Sequence, residues 1–513
     1  MQIEKLGSLL RKKINQFISS DNFSVVSQRN NISGMLFNSL EFLIFFPVVT
    51  ALYFLLPHRF RWLHLLIASC VFYMFFIPYY ILILFITILI DYIAGIWIAR
   101  TEGRKRKIYL WISIVSTCLV LFVFKYYNFF IDNYNDLMKL TGWNYSLSAL
   151  AFILPIGLSF HTFQSLSYVV EVYRGNQKAE HHFGIYALYV MFYPQLVAGP
   201  IERPQNILHQ FYEKHSLKYE DVSAGIKLMI WGLFKKVVIA DNIASLVDIV
   251  YDSPENVSWY WLLLASYLFA IQIYCDFSGY SDMAIGAARV MGFRLMENFN
   301  TPYMANSIRE FWNRWHISLS TWFRDYVYIP LGGNRVSKWK VNRNLFFVFA
   351  VSGFWHGADW TYVIWGALHG LYLVIENVLR KFKWFVDYLL SKRFIVRAVR
   401  TTLLFQLVVV GWIFFRADTL LDAQIILSRI FSLGGSDLSM PTDFAMMGSF
   451  GLAFKFMLVL LFLSLDPFLH RLTRNIYDSK TTTFIRLLVY SFLAAMIILI
   501  GFWGDIEFIY FQF

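Results

Sequence analysis

The chain has 513 residues, of which 58% are hydrophobic, 19% are aromatic and only 15% are charged, and its formal net charge is +12. Because soluble domains carry about 25% charged and about 45–50% apolar residues, this composition excludes a soluble enzyme, a disordered chain, a fibrous protein and a disulfide scaffold. It predicts an all-α integral membrane protein that crosses the bilayer many times, whose excess of Lys and Arg reports cytoplasmic loops and membrane lipids rather than nucleic acid.

The first 34 residues differ from the rest of the chain because they are polar and carry five basic against two acidic residues. They do not have the form of a signal peptide, since no uninterrupted apolar core or small-residue cleavage site follows the basic cluster. Two interpretations of this N-terminal extension, residues 1–34, are open. Either translation begins at Met35, or the extension is an amphipathic segment that lies on the membrane.

Apolar runs follow one another from residue 42 to the end of the chain. A membrane helix needs about 20 largely apolar residues, and the run from Trp62 to Ala99 is too long for one helix. Pro78 is the natural point at which this run folds into two spans, because proline disfavours helix at the preceding residue. Charge-free runs occur at 42–58, 62–90, 108–124, 140–170, 183–201, 256–275, 401–415 and 487–504, with weaker ones at 344–375 and 444–465. Together they predict about eleven to thirteen spans.

The loop at 100–107 sets the orientation, because it carries five basic residues against one acidic residue. Such loops remain in the cytoplasm. The basic loop at 58–61 lies two spans earlier and shares that side, so the turn at Pro78 faces outward.

Two segments place polar side chains at unusual positions in this apolar chain. Asp276 begins a stretch with two carboxylates and three hydroxyls at the end of an apolar span. Such polarity is costly unless it lines a wet cavity or is paired within the protein. His161 lies inside an apolar run, and for it a functional and a hydrogen-bonded structural role are both open.

The segment 309–326 is too charged to span the membrane and too aromatic for an ordinary loop. Trp312, Trp315, Leu319 and Trp322 recur at helical spacing and form one apolar face. The basic residues at 335–343 follow it. The pattern therefore predicts an amphipathic or re-entrant helix at the cytoplasmic interface, with His316 in its polar part.

His356 ends the apolar run that follows and is therefore expected deep in the membrane, with His369 thirteen residues later. Each lies in a GxxxG frame, which permits close approach of helices. The spacings between His316, His356 and His369 are 40 and 13 residues and match no HxxxH-type arrangement, so no metal site is predicted. An imidazole at depth suits general base catalysis. Because the chain has no nucleophile elbow, P-loop or dinucleotide motif, direct transfer to a hydroxyl is favoured over a covalent enzyme intermediate, ATP-driven transport and redox chemistry.

Six ordered motifs resemble the membrane-bound O-acyltransferase (MBOAT) family, and specifically its bacterial alginate O-acetyltransferase-like branch. A more distant similarity is to the D-alanyl export protein of teichoic acid modification. The resemblance covers residues 35–513 as one membrane acyltransferase domain. Its motifs begin at Met35, Leu154, Ala198, Asp276, Glu310 and Gly353.

The resemblance implies a ring of membrane helices around a thin centre, with re-entrant or interfacial helices. It implies His356 and His316 as catalytic residues. It also suggests that four further residues shape a substrate tunnel, although helix packing is an equal alternative for them; these are Asp276, Asn313, Arg314 and Asp325.

The implied reaction moves an acyl group, expected to be acetyl, from a cytoplasmic thioester to a hydroxyl acceptor for O-acetylation of an extracytoplasmic polysaccharide. The donor would be acetyl-CoA or an acyl carrier protein thioester, with no bound cofactor. An exported SGNH-type acetyltransferase or another extracytoplasmic acceptor protein would be the partner, and the bacterial inner (plasma) membrane the location. Open alternatives are a lipid, protein or teichoic acid-type acceptor, a transporter or channel with a histidine proton relay, and a scramblase-like membrane subunit.

Overall fold

The computed structural model describes residues 34–143, 145–151, 154–197, 199–434, 442–474, 483–504 and 508–509. Within these ranges every regular element is a helix, as the composition predicts. The N-terminal extension lies outside the described residues except for Gly34, so its two interpretations stay predictions.

The first half of the chain contains eleven α-helices: α1 (Leu40–Leu55), α2 (His58–Met74), α3 (Ile81–Arg100), α4 (Gly103–Leu121), α5 (Tyr127–Thr141), α6 (Leu158–Arg174), α7 (Phe183–Met191), α8 (Tyr193–Leu196), α9 (Pro204–Ile207), α10 (Tyr219–Leu233) and α11 (Asp241–Tyr251). The remaining α-helices within the described ranges are α12 (Trp259–Val290), α13 (Ile308–Trp312), α14 (Ile317–Phe323), α15 (Lys338–His356), α16 (Trp360–Leu379), α17 (Lys383–Leu390), α18 (Phe394–Arg416), α19 (Leu420–Ser432), α20 (Thr442–Arg474) and α21 (Thr483–Ile500). Turns of 3₁₀ helix lie at Pro78–Tyr80, Leu208–Tyr212, Pro254–Asn256 and Pro302–Met304, and π-helical turns at Phe122–Tyr126, Phe234–Ala240 and Arg324–Tyr328.

The protein is a multi-pass membrane protein. Six helical stretches among the described residues are long and apolar enough to cross a bilayer: Pro78–Arg100, Gly103–Thr141, Trp259–Val290, Trp360–Leu379, Phe394–Arg416 and Gly451–His470. Two shorter apolar helices, Leu40–Leu55 and Arg486–Ile500, accompany them. The larger count of about eleven to thirteen spans stays a prediction, because α2, α6 and α15 have 17 to 19 residues but carry more polar side chains.

Two details of the span prediction are decided by proline and glycine. The chain folds back at Pro78, which starts the 3₁₀ turn between α2 and α3, so that prediction is confirmed. The apolar run at 140–170, however, is not one helix. Helix α5 ends at Thr141 and α6 begins only at Leu158. Gly157 adopts a left-handed conformation with φ 75°, which ends the irregular segment and starts α6.

Contacts between loops show which segments share one end of the helix bundle. Arg61 donates to the carbonyl of His215, and Arg106 donates to the carbonyl of Tyr173 at the end of α6. Arg174 in turn donates to the carbonyl of Asp325. These segments therefore lie at one end of the bundle, which the basic loops at 58–61 and 100–107 predict to be the cytoplasmic end. Helix α15 begins with basic residues at that end and ends at His356, toward the opposite end.

Candidate active site

His356 is the last residue of α15, and close packing of α15 against α16 fixes its position. Gly353 and Gly366 face each other across these helices: a Cβ atom added at Gly353 would lie 2.2 Å from the carbonyl oxygen of Tyr362 and 2.9 Å from the Cα of Gly366. Only glycine permits this approach. The GxxxG frames predicted to bring backbones together therefore do so, and they set where the His356 ring lies.

His316 lies at a sharp break between α13 and α14. Its backbone is left-handed, with φ 41° and ψ 56°, which is uncommon for a residue with a side chain. Asn298 holds the break, because its carbonyl accepts from the N–H of Ile317 at 2.9 Å and its side-chain oxygen accepts from the hydroxyl of Ser318 at 2.8 Å. The Asn298 amide nitrogen donates to the hydroxyl of Ser281 on α12. These three hydrogen bonds of Asn298 therefore support the strained residue.

The break also moves His316 away from the position expected from the sequence. The predicted interfacial helix is split in two, and the His316 side chain is fully buried instead of lying in a polar surface. The predicted apolar face is nevertheless real, since Trp312, Trp315, Leu319 and Trp322 are all buried. The face is covered by the protein interior, and not by the membrane surface.

The two histidines meet in the core of the protein. Their ring centroids are 6.4 Å apart, although the residues come from different helices. Aromatic rings surround both: Phe277 of α12 contacts His316 edge-on at 4.6 Å, and Trp355 and Trp365 each lie 4.9 Å from His356. This aromatic shell limits the access of water to the two imidazoles and leaves space only where the rings do not meet.

That space is a cavity of about 50 Å³ beside His356. The segment 154–160, which contains the second predicted motif, lines it together with Val197, Trp355 and Lys125. Lys125 belongs to the π-helical turn between α4 and α5, and its Nζ donates to the carbonyl of His356 at 2.9 Å. Sequence reasoning missed this residue. The feature of the sequence that could have indicated Lys125 is that a single lysine interrupts an apolar stretch.

Asp276 lies in an ion-pair cluster next to the histidine pair. One carboxylate oxygen is 2.7 Å from Nζ of Lys236, which also pairs with Asp241 at 2.8 Å. The other oxygen accepts from the N–H of Ile509 at 2.8 Å. Of the two possibilities for this polar stretch, the structure thus shows internal pairing for Asp276. Its neighbour Phe277 contacts His316.

Asn313, Arg314 and Asp325 lie around the break at His316 and toward the cytoplasmic loops. Asn313 is exposed, and Arg314 forms an ion pair with Glu310 at 2.6 Å. Asp325 pairs with Arg324 at 2.7 Å, and its carbonyl accepts from Arg174. Their role in a substrate tunnel stays a prediction.

The motif at 198–203 supports the site from a further distance. The Glu202 carboxylate is fully buried and accepts hydrogen bonds from the backbone N–H of Met296 and from Asn206. Burial raises the pKa of this carboxyl to about 7. Because Met296 precedes Asn298 by two residues, Glu202 anchors the loop that holds the His316 backbone. Glu202 belongs to the motif that begins at Ala198, but the motif alone gave no indication of this supporting role.

The other buried histidines do not join the pair. Trp365 contacts both His356 and His369, and His369 packs among aromatic rings at Trp312 and Phe311. His161 lies 3.3 Å from the hydroxyl of Thr87 on α3. In the part of the chain that the structure describes, three or more His, Cys, Asp or Glu residues do not gather in any metal-binding group.

Two buried imidazoles, a lysine amino group and a small, partly open cavity make up a set of groups suited to acyl transfer. A neutral imidazole accepts a proton from an attacking hydroxyl, and a site closed to water strengthens every polar contact with the reacting atoms. The cavity also limits the size of the group that can react beside His356.

Comparison with known proteins gives one consistent result. Residues 179–396 match the family described as MBOAT, membrane-bound O-acyltransferase family. The chain is 41% identical over 419 residues to the "Probable alginate O-acetylase AlgI" of Pseudomonas aeruginosa, covering 79% of this chain and 76% of that protein. It is 36% identical to the "Peptidoglycan O-acetyltransferase" of Helicobacter pylori, covering 79% of this chain and 81% of that protein. Similarity to the "Teichoic acid D-alanyltransferase" of Bacillus subtilis is 29% and covers 45% of this chain and 61% of that protein.

Proposed function

Since the chain belongs to the membrane-bound O-acyltransferase family and is an O-acyltransferase, we propose that it moves an acetyl group from a cytoplasmic thioester to a hydroxyl acceptor for O-acetylation of an extracytoplasmic polysaccharide. The donor is acetyl-CoA or an acyl carrier protein thioester, used as a co-substrate. The protein works in the bacterial inner membrane.

The pairing of His316 with His356 carries this proposal. The two imidazoles lie 6.4 Å apart in a buried site that lies between the basic cytoplasmic loops and the opposite end of the bundle. His356 removes the proton from the acceptor hydroxyl, the hydroxyl oxygen attacks the thioester carbonyl, and a tetrahedral oxyanion forms. When the oxyanion collapses, the thiolate leaves and takes the proton from His356. His316 orients the thioester from the cytoplasmic side of the pair.

Two observations support an acetyl group and a polysaccharide product. The cavity beside His356 has a volume of about 50 Å³ and gives room for a small acyl group next to the imidazole. The relatives with the greatest coverage are named for O-acetylation of alginate and of peptidoglycan, both envelope or extracellular polysaccharides. The acetyl group then passes to an exported SGNH-type acetyltransferase or to another extracytoplasmic acceptor protein, which completes transfer to the glycan.

Inverted membrane vesicles provide the test, because they expose the cytoplasmic face and retain native acceptors. Vesicles with the wild-type protein receive [¹⁴C]acetyl-CoA, and base-labile label is counted in polysaccharide, protein and lipid fractions. His356→Ala should reduce label in polysaccharide to the background, because loss of the general base removes about 10²–10⁴ of the rate. His316→Ala should also reduce it strongly. The exposed His181, whose substitution leaves the site intact, provides the matched control His181→Ala.

Each result has a distinct meaning. Label that stays in lipid or protein would contradict the polysaccharide acceptor. Unchanged labelling by His356→Ala would contradict the catalytic assignment. Passage of label across the membrane without thioester cleavage would instead indicate a transporter.

A further inference from the structure

Lys125 places an ammonium group at the wall of the cavity beside His356. Its Nζ donates to the His356 carbonyl at 2.9 Å and lies 5.7 Å from the ring centroid of Trp355. The contact joins two segments that are 231 residues apart in the chain. The π-helical turn at Phe122–Tyr126 places this side chain beside the cavity, on an apolar helical stretch whose residues are mostly not buried in the protein. Turns of this kind are frequent at functional sites.

The side chain of Lys125 is partly buried, and its contacts differ from those of Lys235 and Lys236, the two lysines that are fully buried among the described residues. Lys236 forms ion pairs with two carboxylates, Asp241 and Asp276, and Lys235 pairs with Asp282 at 2.6 Å. Among the residues that the structure describes, none places a carboxylate within ion-pair distance of Lys125, whose recorded partner is a carbonyl. A cation inside a membrane protein is costly without a counter-charge, and such residues commonly mark a pathway or site.

The reaction itself generates a negative charge next to this ammonium. When a hydroxyl attacks the acyl carbonyl, the C=O electron pair moves to oxygen and an oxyanion forms within the cavity. We propose that Lys125 is a catalytic residue whose ammonium donates a hydrogen bond to that oxyanion, an inference that rests on the proposed acyl transfer.

Electrons and protons balance in this step. The acceptor O–H bond breaks and its proton goes to His356, while a new C–O bond forms to the acyl carbon. Lys125 keeps its own protons and gives none away. Collapse of the oxyanion restores C=O, breaks the C–S bond, and releases a thiol that carries the proton from His356.

Two other roles for Lys125 make different predictions. An ammonium that only caps the carbonyl at the end of α15 would stabilise that helix end, and a neutral donor would replace it adequately. An ammonium that binds a carboxylate of an acidic sugar would affect substrate affinity. Lys125 lines the same cavity as His356, where the acyl carbonyl would be attacked, and this position favours the oxyanion over the sugar.

Three substitutions separate these roles in the inverted-vesicle assay with [¹⁴C]acetyl-CoA. Lys125→Met keeps most of the side-chain length without the charge, Lys125→Gln keeps a neutral donor, and Lys125→Arg keeps a cation. We expect Lys125→Met and Lys125→Gln to have a maximum rate per enzyme about 10²–10³-fold below that of the wild type, as is found when one oxyanion donor is lost. The KM for acetyl-CoA should stay within about threefold, because only the transition state loses a contact. Arg should be at least about tenfold faster than Gln, since it retains a charged donor.

The controls keep the outcomes distinct. Melting temperatures in detergent should match the wild type for Lys125→Gln and Lys125→Arg, because each variant keeps a donor for the His356 carbonyl, and these two variants therefore carry the comparison. A wild-type rate for Lys125→Gln, or equal rates for Gln and Arg, would overturn the inference in favour of helix capping. A raised KM for polysaccharide at unchanged maximum rate would overturn it in favour of sugar binding. If His356→Ala is inactive while Lys125→Met is fully active, the oxyanion role of Lys125 is wrong and the proposed function stands. If the wild type and His356→Ala are equally active, the proposed function is wrong.

Discussion

Replacing Gly353 by alanine tests whether the packing of α15 on α16 sets the position of the catalytic imidazole. The substitution adds one methyl group and removes no polar contact. In the structure that methyl would lie 2.2 Å from the carbonyl oxygen of Tyr362 and 2.9 Å from the Cα of Gly366. Both neighbours are backbone atoms, which cannot rotate away as the end of a flexible side chain can.

The magnitude follows from these distances. A carbon and a carbonyl oxygen approach to about 3.3 Å in the closest favourable contacts, so the two helices must separate by about 1 Å near Gly353. His356 is three residues further along the same helix and moves with it. Because a misplacement of about 1 Å in an active site can reduce the rate about 10²-fold, we expect Gly353→Ala to transfer acetyl about 100 times more slowly than the wild type.

The assay is initial-rate labelling by [¹⁴C]acetyl-CoA in inverted vesicles, normalised to the amount of enzyme by immunoblot. Phe347→Ala is the matched control, because it lies on the same helix and removes many more atoms, but from a side chain that is 50% exposed. It should retain nearly the full rate. His356→Ala sets the lower limit of the assay.

The reasoning is refuted if Gly353→Ala transfers acetyl at the wild-type rate with an unchanged melting temperature. It is also refuted if Phe347→Ala is as slow as Gly353→Ala, because activity would then follow any change in α15 and not the helix contact. The double variant Gly353→Ala/His356→Ala should transfer acetyl no more slowly than His356→Ala alone.

Two further predictions concern the loop that holds His316. Asn298→Ala removes the side-chain bonds to Ser318 and Ser281, and it should lower both the melting temperature and the transfer rate, since an unsatisfied buried polar group costs about 1–3 kcal/mol; an unchanged rate would show that the left-handed turn is stable alone. For Glu202, whose pKa is raised from 4.5 to about 7 in the folded protein, the unfolded chain loses its proton first as pH rises. Stability should therefore fall between about pH 4.5 and 7, and Glu202→Gln should remove this part of the pH dependence of the melting temperature.

The sequence predicted the class of fold and part of the site for clear physical reasons. Composition and apolar runs reflect the bilayer directly, and Pro78 acts locally on its own backbone, so the helical membrane architecture and the fold-back at Pro78 could be predicted. The glycine frames around His356 could also be recognised, because close helix packing leaves a short-range pattern. The break at Thr141–Leu158 was missed because residues 140–170 contain no charged side chain to divide the run.

Contacts between distant segments could not be predicted in the same way. Amphipathicity identified the buried face that includes Trp315, but it cannot say whether lipid headgroups or other helices cover that face. The left-handed backbone of His316 depends on Asn298, which lies in a separate loop. The pairing of Asp276 with Lys236 and the contact of Lys125 with His356 each need a partner that no spacing rule identifies.

The aromatic shell around the histidines has a chemical consequence that the composition alone could not reveal. Phe160, Phe277, Trp355, Trp365 and Phe415 lie against the two imidazoles at centroid distances of 4.6 to 6.2 Å. A thioester beside a general base can be attacked by water as readily as by an alcohol, and water is far more abundant. The rings restrict access to the imidazoles and leave the small cavity at Lys125 as the space for a hydroxyl, which reduces competition from water. The same rings that hold the histidines in place thus favour transfer over hydrolysis, which connects the high aromatic content of the chain to the reaction we propose.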